Sequence, residues 1–324
     1  MLDKNIIKVA SIWSQAIEES IVFHILKKIS KKRIVISNPS NADILFVGPY
    51  NKNTVLEKSI NHIKKIKYLN KLLPNIDVLN FKRQYKPIKI FFSHEGYFGS
   101  YNFDEDFHIN CLFGLNQDNH LRTPIWKDFI DWRSDGIIRD HRHINGRRFG
   151  KLYDVNQLLK PQGYEFLKKE NKACIISSHL NFPRDILYKK LKAIIDIDGF
   201  GKFFNPKIKN HNESNFIKID ILKKYRFNLC PHNFLIPGYY DEKITDAYYC
   251  KTLPITWCDE NVNEDFNTNC FINMNDFMNK DIGELKELLS DEAKLKKFGD
   301  EPLIKKKPNL ENEFNFMKKI LDNF

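Results

Sequence analysis

The sequence predicts an α/β protein made of two successive series of strand–helix units. Short apolar runs alternate with longer amphipathic stretches, the pattern that parallel βαβ units leave in a chain. The alternation occurs twice, separated by a less regular stretch over 94–155, and 324 residues is a length for two domains of ordinary size. Apolar residues make up 42% of the chain and aromatic residues 13%, enough for a core in each half and too much for a disordered chain.

In the first series, 6–12 reads as a core strand, 16–30 as a helix with Ile17, Ile21, Phe23 and Leu26 on one side, and 32–37 and 42–47 as two further strands. A lysine-rich helix follows over 53–73, its apolar side carrying Leu56, Ile60, Ile63, Ile66 and Leu69, and a strand over 89–93 runs into His94-Glu95-Gly96. The domain junction falls at 154–163. The second series has strands at 173–177, 227–230, 253–257 and 270–273, and helices at 184–194, 216–224, 242–249, 282–289 and 292–298. The tail, 312–323, is an amphipathic helix with Phe316, Ile320 and Leu321 apolar, expected to pack back on the first domain. The domains are thus expected at 1–155 and 156–304, followed by a basic tail at 305–324.

The net charge is +11, from 52 Lys and Arg against 41 Asp and Glu. A basic chain meets nucleic acid, anionic membrane or phosphorylated small molecules. Only 10 of the cations are arginine and the lysines are spread along helical stretches, so much of the charge is general composition. No nucleotide-loop, zinc-finger or RNA-recognition pattern occurs, which sets nucleic acid aside as a partner. The cluster His141, Arg142, His143, Arg147 and Arg148 reads as a solvated face. No run of 18 apolar residues occurs, and the first residues lack the basic region and apolar stretch of a secretory leader. The six cysteines show neither Cys-x-x-Cys nor zinc spacing, and several sit in apolar runs. They are expected as buried free thiols of a reducing, cytoplasmic compartment.

The densest chemistry lies in 225–259. A buried strand leads through a loop with Pro237 and Gly238 to a helix opening at Asp241-Glu242-Lys243. Asp241 can cap that helix, whose free first-turn amides favour an anion, and Lys243 can add a full charge. A capped surface helix with a solvated Glu–Lys pair fits the same residues.

These residues resemble a family. Phe227-Asn228-Leu229-Cys230 with Asn233 is followed by Gly238-Tyr239, Glu242-Lys243-Ile244 and Asp246-Ala247-Tyr248. Thr252, Pro254, Ile255 and Trp257 come next, and then Phe271-Ile272-Asn273 with Asp276-Phe277. The ordered set is similar to the donor domain of the α1,3/4-fucosyltransferases, above all the bacterial lipopolysaccharide enzymes. Asn181-Phe182-Pro183-Arg184-Asp185 looks like the family's arginine-bearing helix start, and Asp198-Gly199-Phe200-Gly201-Lys202 like a strand end of that domain.

The resemblance implies a GT-B fold, two Rossmann-like α/β domains with a cleft between them, the first holding the acceptor and the second a GDP-sugar. It implies inverting transfer of L-fucose from GDP-fucose to a hydroxyl of a surface glycan, with no metal or other cofactor. The acceptor is then an oligosaccharide or lipid-linked glycan, and the basic tail suits peripheral contact with an anionic membrane at its cytoplasmic face. Glu95 is the general base, with His94 beside it. Arg184 and Lys243 bind the diphosphate as the sugar leaves, Tyr239 contacts it, Asn233 contacts sugar or phosphate, and Glu242 accepts from a ribose or sugar hydroxyl. Lys202, His232 and Asp241 are further donor-side candidates.

The chain departs from the family pattern at three places. Pro231-His232 stands where a Phe-Glu pair is usual, Asp241 where a threonine is usual, and His94-Glu95-Gly96 where the family has Gly-Glu-Asn. Another GDP-linked deoxyhexose or heptose remains an alternative donor. A non-catalytic nucleotide- or glycan-binding protein of the same fold is the other reading. Asp196-Ile197-Asp198 spells a metal-type Asp-x-Asp but falls at a strand of the matching segment, and reads as structural.

Overall fold

A computed structural model describes residues 5–12, 17–49, 87–94, 106–113, 118–139, 152–207 and 218–324. The chain divides into two compact units. One comprises 1–110, 115–122 and 311–324, the other 111–114 and 123–310. Residues 123–155, expected in the first domain, thus cluster with the second. The helix expected over 53–73 and the cluster at 141–148 lie outside the described residues.

The first unit is built on a six-stranded sheet. Its strands are β1 (Ile6–Ile12), β2 (Arg33–Ile36), β3 (Ile44–Val47), β4 (Ile88–Ser93), β5 (Phe107–Asn110) and β6 (His120–Arg122). They run parallel in the order β2-β1-β3-β4-β5-β6. Helix α1 (Ile21–Ile29) is shorter than the expected 16–30, because the Ser20 side chain accepts from Phe23 N at 3.3 Å and starts the α-helix there. A separate single turn, Ile17–Glu19, precedes that cap. Strands β5 and β6 fall in the stretch whose pattern looked irregular. All four residues of β5 are buried, so a strand covered on both faces shows no polar–apolar alternation to read.

The second unit repeats the plan. After a single turn, α2 (Val155–Leu158), come β7 (Glu170–Ile176), α3 (Arg184–Lys192), β8 (Ile197–Phe200), α4 (Lys218–Leu222) and β9 (Tyr225–Leu229). Helix α5 (Lys243–Tyr249), β10 (Leu253–Thr256), β11 (Ile272–Asn273), α6 (Ile282–Ser290) and α7 (Glu292–Lys296) complete it. Its five strands are parallel in the order β11-β10-β9-β7-β8. The core joins Ile175, Phe227, Leu229 and Ile255 of the sheet to Leu187 of α3 and Leu285 of α6. Each such apolar side chain taken from water contributes about 1.5–3 kcal/mol. The final helix, α8 (Glu311–Leu321), belongs to the first unit, with Met317 and Ile320 fully buried and Phe316 edge-on to Phe107 at 5.7 Å.

Numbered from its own first strand, each sheet has the doubly wound order 2-1-3-4-5, which the first extends by a sixth strand. In such sheets the chain leaves in opposite directions from two neighbouring strands, and a crevice opens at their carboxyl ends. In the second unit those neighbours are β7 and β9.

Candidate active site

The sequence-predicted donor residues gather at that switch point. Beyond β7, Arg184 opens α3 and is 6% exposed. Its Nη1 donates to Ser177 Oγ at 2.9 Å and to the His179 carbonyl at 3.3 Å, and Ser177 Oγ donates to the same carbonyl at 2.7 Å. The strand end thus fixes a guanidinium whose planar fork suits phosphate oxygens.

Beyond β8, Gly201 turns the chain at φ +94°, and a side chain there would place Cβ 2.6 Å from the Ser177 carbonyl oxygen. Phe203 N donates to that same oxygen at 3.2 Å. Lys202 stands exposed in this turn, beside the residue that aims Arg184. Asp198 lies within β8 and accepts from the Tyr225 hydroxyl at 2.8 Å.

Beyond β9 the loop 230–242 carries the remaining candidates. Gly238 has φ +90° and passes so close to the 111–113 backbone that an added Cβ would lie 2.5 Å from the Cys111 carbonyl oxygen. The Asn233 side-chain oxygen is buried without a hydrogen-bond partner among the described residues, an acceptor that none of them takes up. Tyr239 is buried, its ring 6.1 Å from that of His232. The Tyr240 hydroxyl donates to Asp259 Oδ1 at 2.8 Å, tying the loop to the end of β10.

The start of α5 is the most charged point. Asp241 Oδ1 accepts from Lys243 N at 3.1 Å. The helix begins at Lys243 and its N-cap position is Glu242, whose side chain makes no capping bond, so Asp241 stands one residue before the cap expected of it. Asp241 Oδ2 takes the Lys243 ammonium. Glu242 is 8% exposed, with the Lys218 ammonium 3.9 Å from its Oε1 and bonded to Asp246 on the next turn. His232 is 1% exposed. Its Nδ1 lies 3.1 Å from Asp241 Oδ1 and its Nε2 3.1 Å from Cys258 Sγ.

Burial alone works against an imidazolium, but Cys258 and Asp241 on its two nitrogens push the His232 pKa up to about 10. Burial likewise disfavours the Asp241 carboxylate, yet Lys243 and then His232 hold its pKa well below the usual carboxylate range. The donor-loop departures at 232 and 241 are therefore a contacting pair facing each other inside the loop. His232 was expected among the donor contacts; its ring is instead spent on Asp241 and Cys258.

His94 directly follows β4 in the first unit, its ring 4.8 Å from that of Phe92. Glu95 lies outside the described residues. Arg139, two residues before the basic cluster, is described. It turns inward, with Nη2 donating to the Asp128 and Ile130 carbonyls at 2.6 and 3.0 Å. Sequence reasoning missed Ser177, His179 and Cys258; the first two carry a signal, a Ser-Ser-His run directly after an apolar strand. All six cysteines are buried and unbridged.

Residues 166–300 match the model of the glycosyltransferase family 10 (fucosyltransferase) C-terminal domain. The alpha-(1,3)-fucosyltransferase FucT of Helicobacter pylori is 30% identical over 184 residues, 51% of this chain and 36% of that protein. The chain therefore spans about a third of the length of that curated relative. A crystal structure of an alpha1,3-fucosyltransferase superposes with a TM-score of 0.64 at 23% identity, over 100% of this chain and 92% of that one. One with GDP-fucose gives 0.63 at 23% identity, over 100% and 93%. The fold is that of the GT-B class, an α/β architecture of two parallel sheets.

Proposed function

We propose that this chain, whose residues 166–300 match the glycosyltransferase family 10 model, transfers L-fucose from GDP-fucose to a hydroxyl of a surface glycan. The carrying observation is that Arg184 follows β7 while Asn233 and Lys243 follow β9, the two neighbouring strands at the switch point of the sheet. That is where doubly wound sheets take nucleotides. Support for GDP-fucose as donor comes from the family match and from the similar alpha1,3-fucosyltransferase structure with GDP-fucose.

In this reading the acceptor oxygen attacks the anomeric carbon from the face opposite the diphosphate. The carbon–oxygen bond to GDP breaks with inversion, and the hydroxyl proton passes to a carboxylate. Glu95 is assigned that proton by resemblance, Arg184 and Lys243 the charge growing on the leaving diphosphate. Asn233 Oδ1 accepts a hydrogen bond from a donor hydroxyl, Glu242 serves a second hydroxyl, and Tyr239 borders the diphosphate. No metal is invoked, since two cations supply the counter-charge. The acceptor is an oligosaccharide or lipid-linked glycan and the location cytoplasmic, with the exposed lysines 305–307 suited to an anionic membrane face.

The test is a thermal-shift and calorimetric panel of GDP, UDP and CMP, followed by GDP release from GDP-fucose and from other GDP-sugars. GDP binding with release from GDP-fucose is expected. Preference for UDP or CMP would refute the donor assignment. Release from another GDP-sugar alone would replace fucose, and binding without release from any would leave a binding protein.

A further inference from the structure

We infer that His232 is a positioning residue that fixes the Lys243 ammonium, acting through Asp241 and braced on Cys258. The inference rests on the reading that Lys243 meets the donor diphosphate.

Asp241 uses its two oxygens for different tasks. Oδ1 faces His232 Nδ1 at 3.1 Å and Lys243 N at 3.1 Å, whereas Oδ2 takes the Lys243 ammonium. His232 Nδ1 also lies 3.3 Å from Asp241 N, so the ring meets both the backbone and the carboxylate of Asp241. With Oδ1 contacted from two sides, Oδ2 presents one point to a side chain with four rotatable bonds. Lys243 retains an open face, its side chain being 20% exposed while those of Asp241 and His232 are 3% and 1%.

The histidine is held in turn. Its Nε2 rests 3.1 Å from Cys258 Sγ. The Cys258 backbone is gripped by the Asn273 side chain, which accepts from Cys258 N and donates to Cys258 O, both at 3.1 Å. A line of contacts thus runs from the end of β11 through the end of β10 and the loop after β9 to the first turn of α5. A buried carboxylate left to one lysine would neutralise it. Shared with an imidazole, the carboxylate orients the lysine without being its sole counter-charge.

The test is a double-mutant cycle on the whole chain, with GDP as the titrated ligand. His232→Ala is expected to weaken GDP binding about tenfold, the scale of a coupled contact pair. Combined with Lys243→Ala it should add no more than about twofold to the single Lys243→Ala loss, because residues acting through one another are not additive. His232→Asn, whose amide can still donate to Asp241, should recover most of the affinity. A purely structural histidine predicts the same loss with or without Lys243 and no preference for asparagine, and either result overturns the inference. Unchanged affinity in His232→Ala overturns it too. If His232→Ala does not fold, Cys258→Ala removes the brace alone and enters the same cycle. There a loss independent of Lys243, or no loss, is the refuting result. Absence of GDP binding by the unaltered chain, or full GDP affinity in Lys243→Ala, strikes instead at the underlying site reading.

Discussion

Arg184 Nη1 stands 2.9 Å from Ser177 Oγ, so the residue just after one strand aims a cation borne by the following helix. Arg184→Ala should weaken GDP binding by about 1.5–3 kcal/mol, the range for a charge-assisted hydrogen bond. Ser177→Ala should lose less, about 0.5–1.5 kcal/mol, because the His179 carbonyl still holds the guanidinium. Calorimetry on the two single variants and the double variant decides the matter. If serine acts only by aiming arginine, the double variant binds GDP as Arg184→Ala does. A fully additive double loss would give Ser177 a ligand contact of its own.

Gly238 should tolerate no side chain. Its φ of +90° excludes ordinary residues, and the atom a Cβ would strike, the Cys111 carbonyl oxygen at 2.5 Å, is backbone and cannot swing aside. Gly238→Ala is expected to cost more than about 2 kcal/mol in denaturant unfolding, beyond the usual surface substitution. Because Tyr239 follows directly, GDP affinity should fall as well. An alanine variant of unchanged stability would show that the 111–113 and 237–239 segments are less closely apposed than described.

What was legible in the sequence follows from what each element exposes. Strands with long apolar runs, such as 6–12 and 42–47, were found within a residue or two, as were the helices at 184–194, 242–249 and 282–289, whereas the helix expected from residue 16 starts at Ile21, behind the Ser20 cap. The short strands β5 and β6 were not found, since β5 is buried at all four residues and the three residues of β6 are too few to show a period. Arg184, Asn233 and Lys243 were singled out through an ordered motif. The pairing of His232 with Asp241 was not, because a nine-residue loop reversed at Gly238 brings them together. Cys258 reaches His232 only because β9 and β10 are sheet neighbours.

The C-terminal helix offers a test of the first unit. Ile320 is fully buried whereas Lys318 is exposed. Ile320→Ala should destabilise the protein by about 2–4 kcal/mol and Lys318→Ala by less than about 0.5 kcal/mol. Urea unfolding of both variants measures the contrast. Equal, small effects would mean that the helix does not pack through this face.

Glu95 carries the proposed proton transfer. Glu95→Gln keeps the shape and removes the base, so GDP release from GDP-fucose should fall by at least about a hundredfold. GDP affinity should stay within about twofold, the base being assigned to the acceptor and not to the diphosphate. Retained turnover in Glu95→Gln would pass the role to another carboxylate.

The buried His232 makes stability depend on pH in a particular direction. Its pKa is raised from 6.5 to about 10 in the fold, so its contribution is fully present below pH 6.5 and is lost as pH rises from there to about 10. Lys169 works the other way in part of this window. Burial lowers its pKa from 10.5 to about 8, so between those values the unfolded chain binds more protons and stability rises with pH. The unaltered protein shows these opposed slopes together with a fall above about pH 9 from the buried thiols Cys174, Cys230, Cys250 and Cys270, whose pKa values burial raises. Comparison with His232→Asn isolates the histidine, since Lys169 and the thiols are common to both. Denaturant midpoints taken at each pH from 6 to 10 should show the unaltered protein ahead at pH 6 and its lead shrinking steadily towards pH 10. A lead that stays constant or widens over that range would mean that the ring between Asp241 and Cys258 carries no charge.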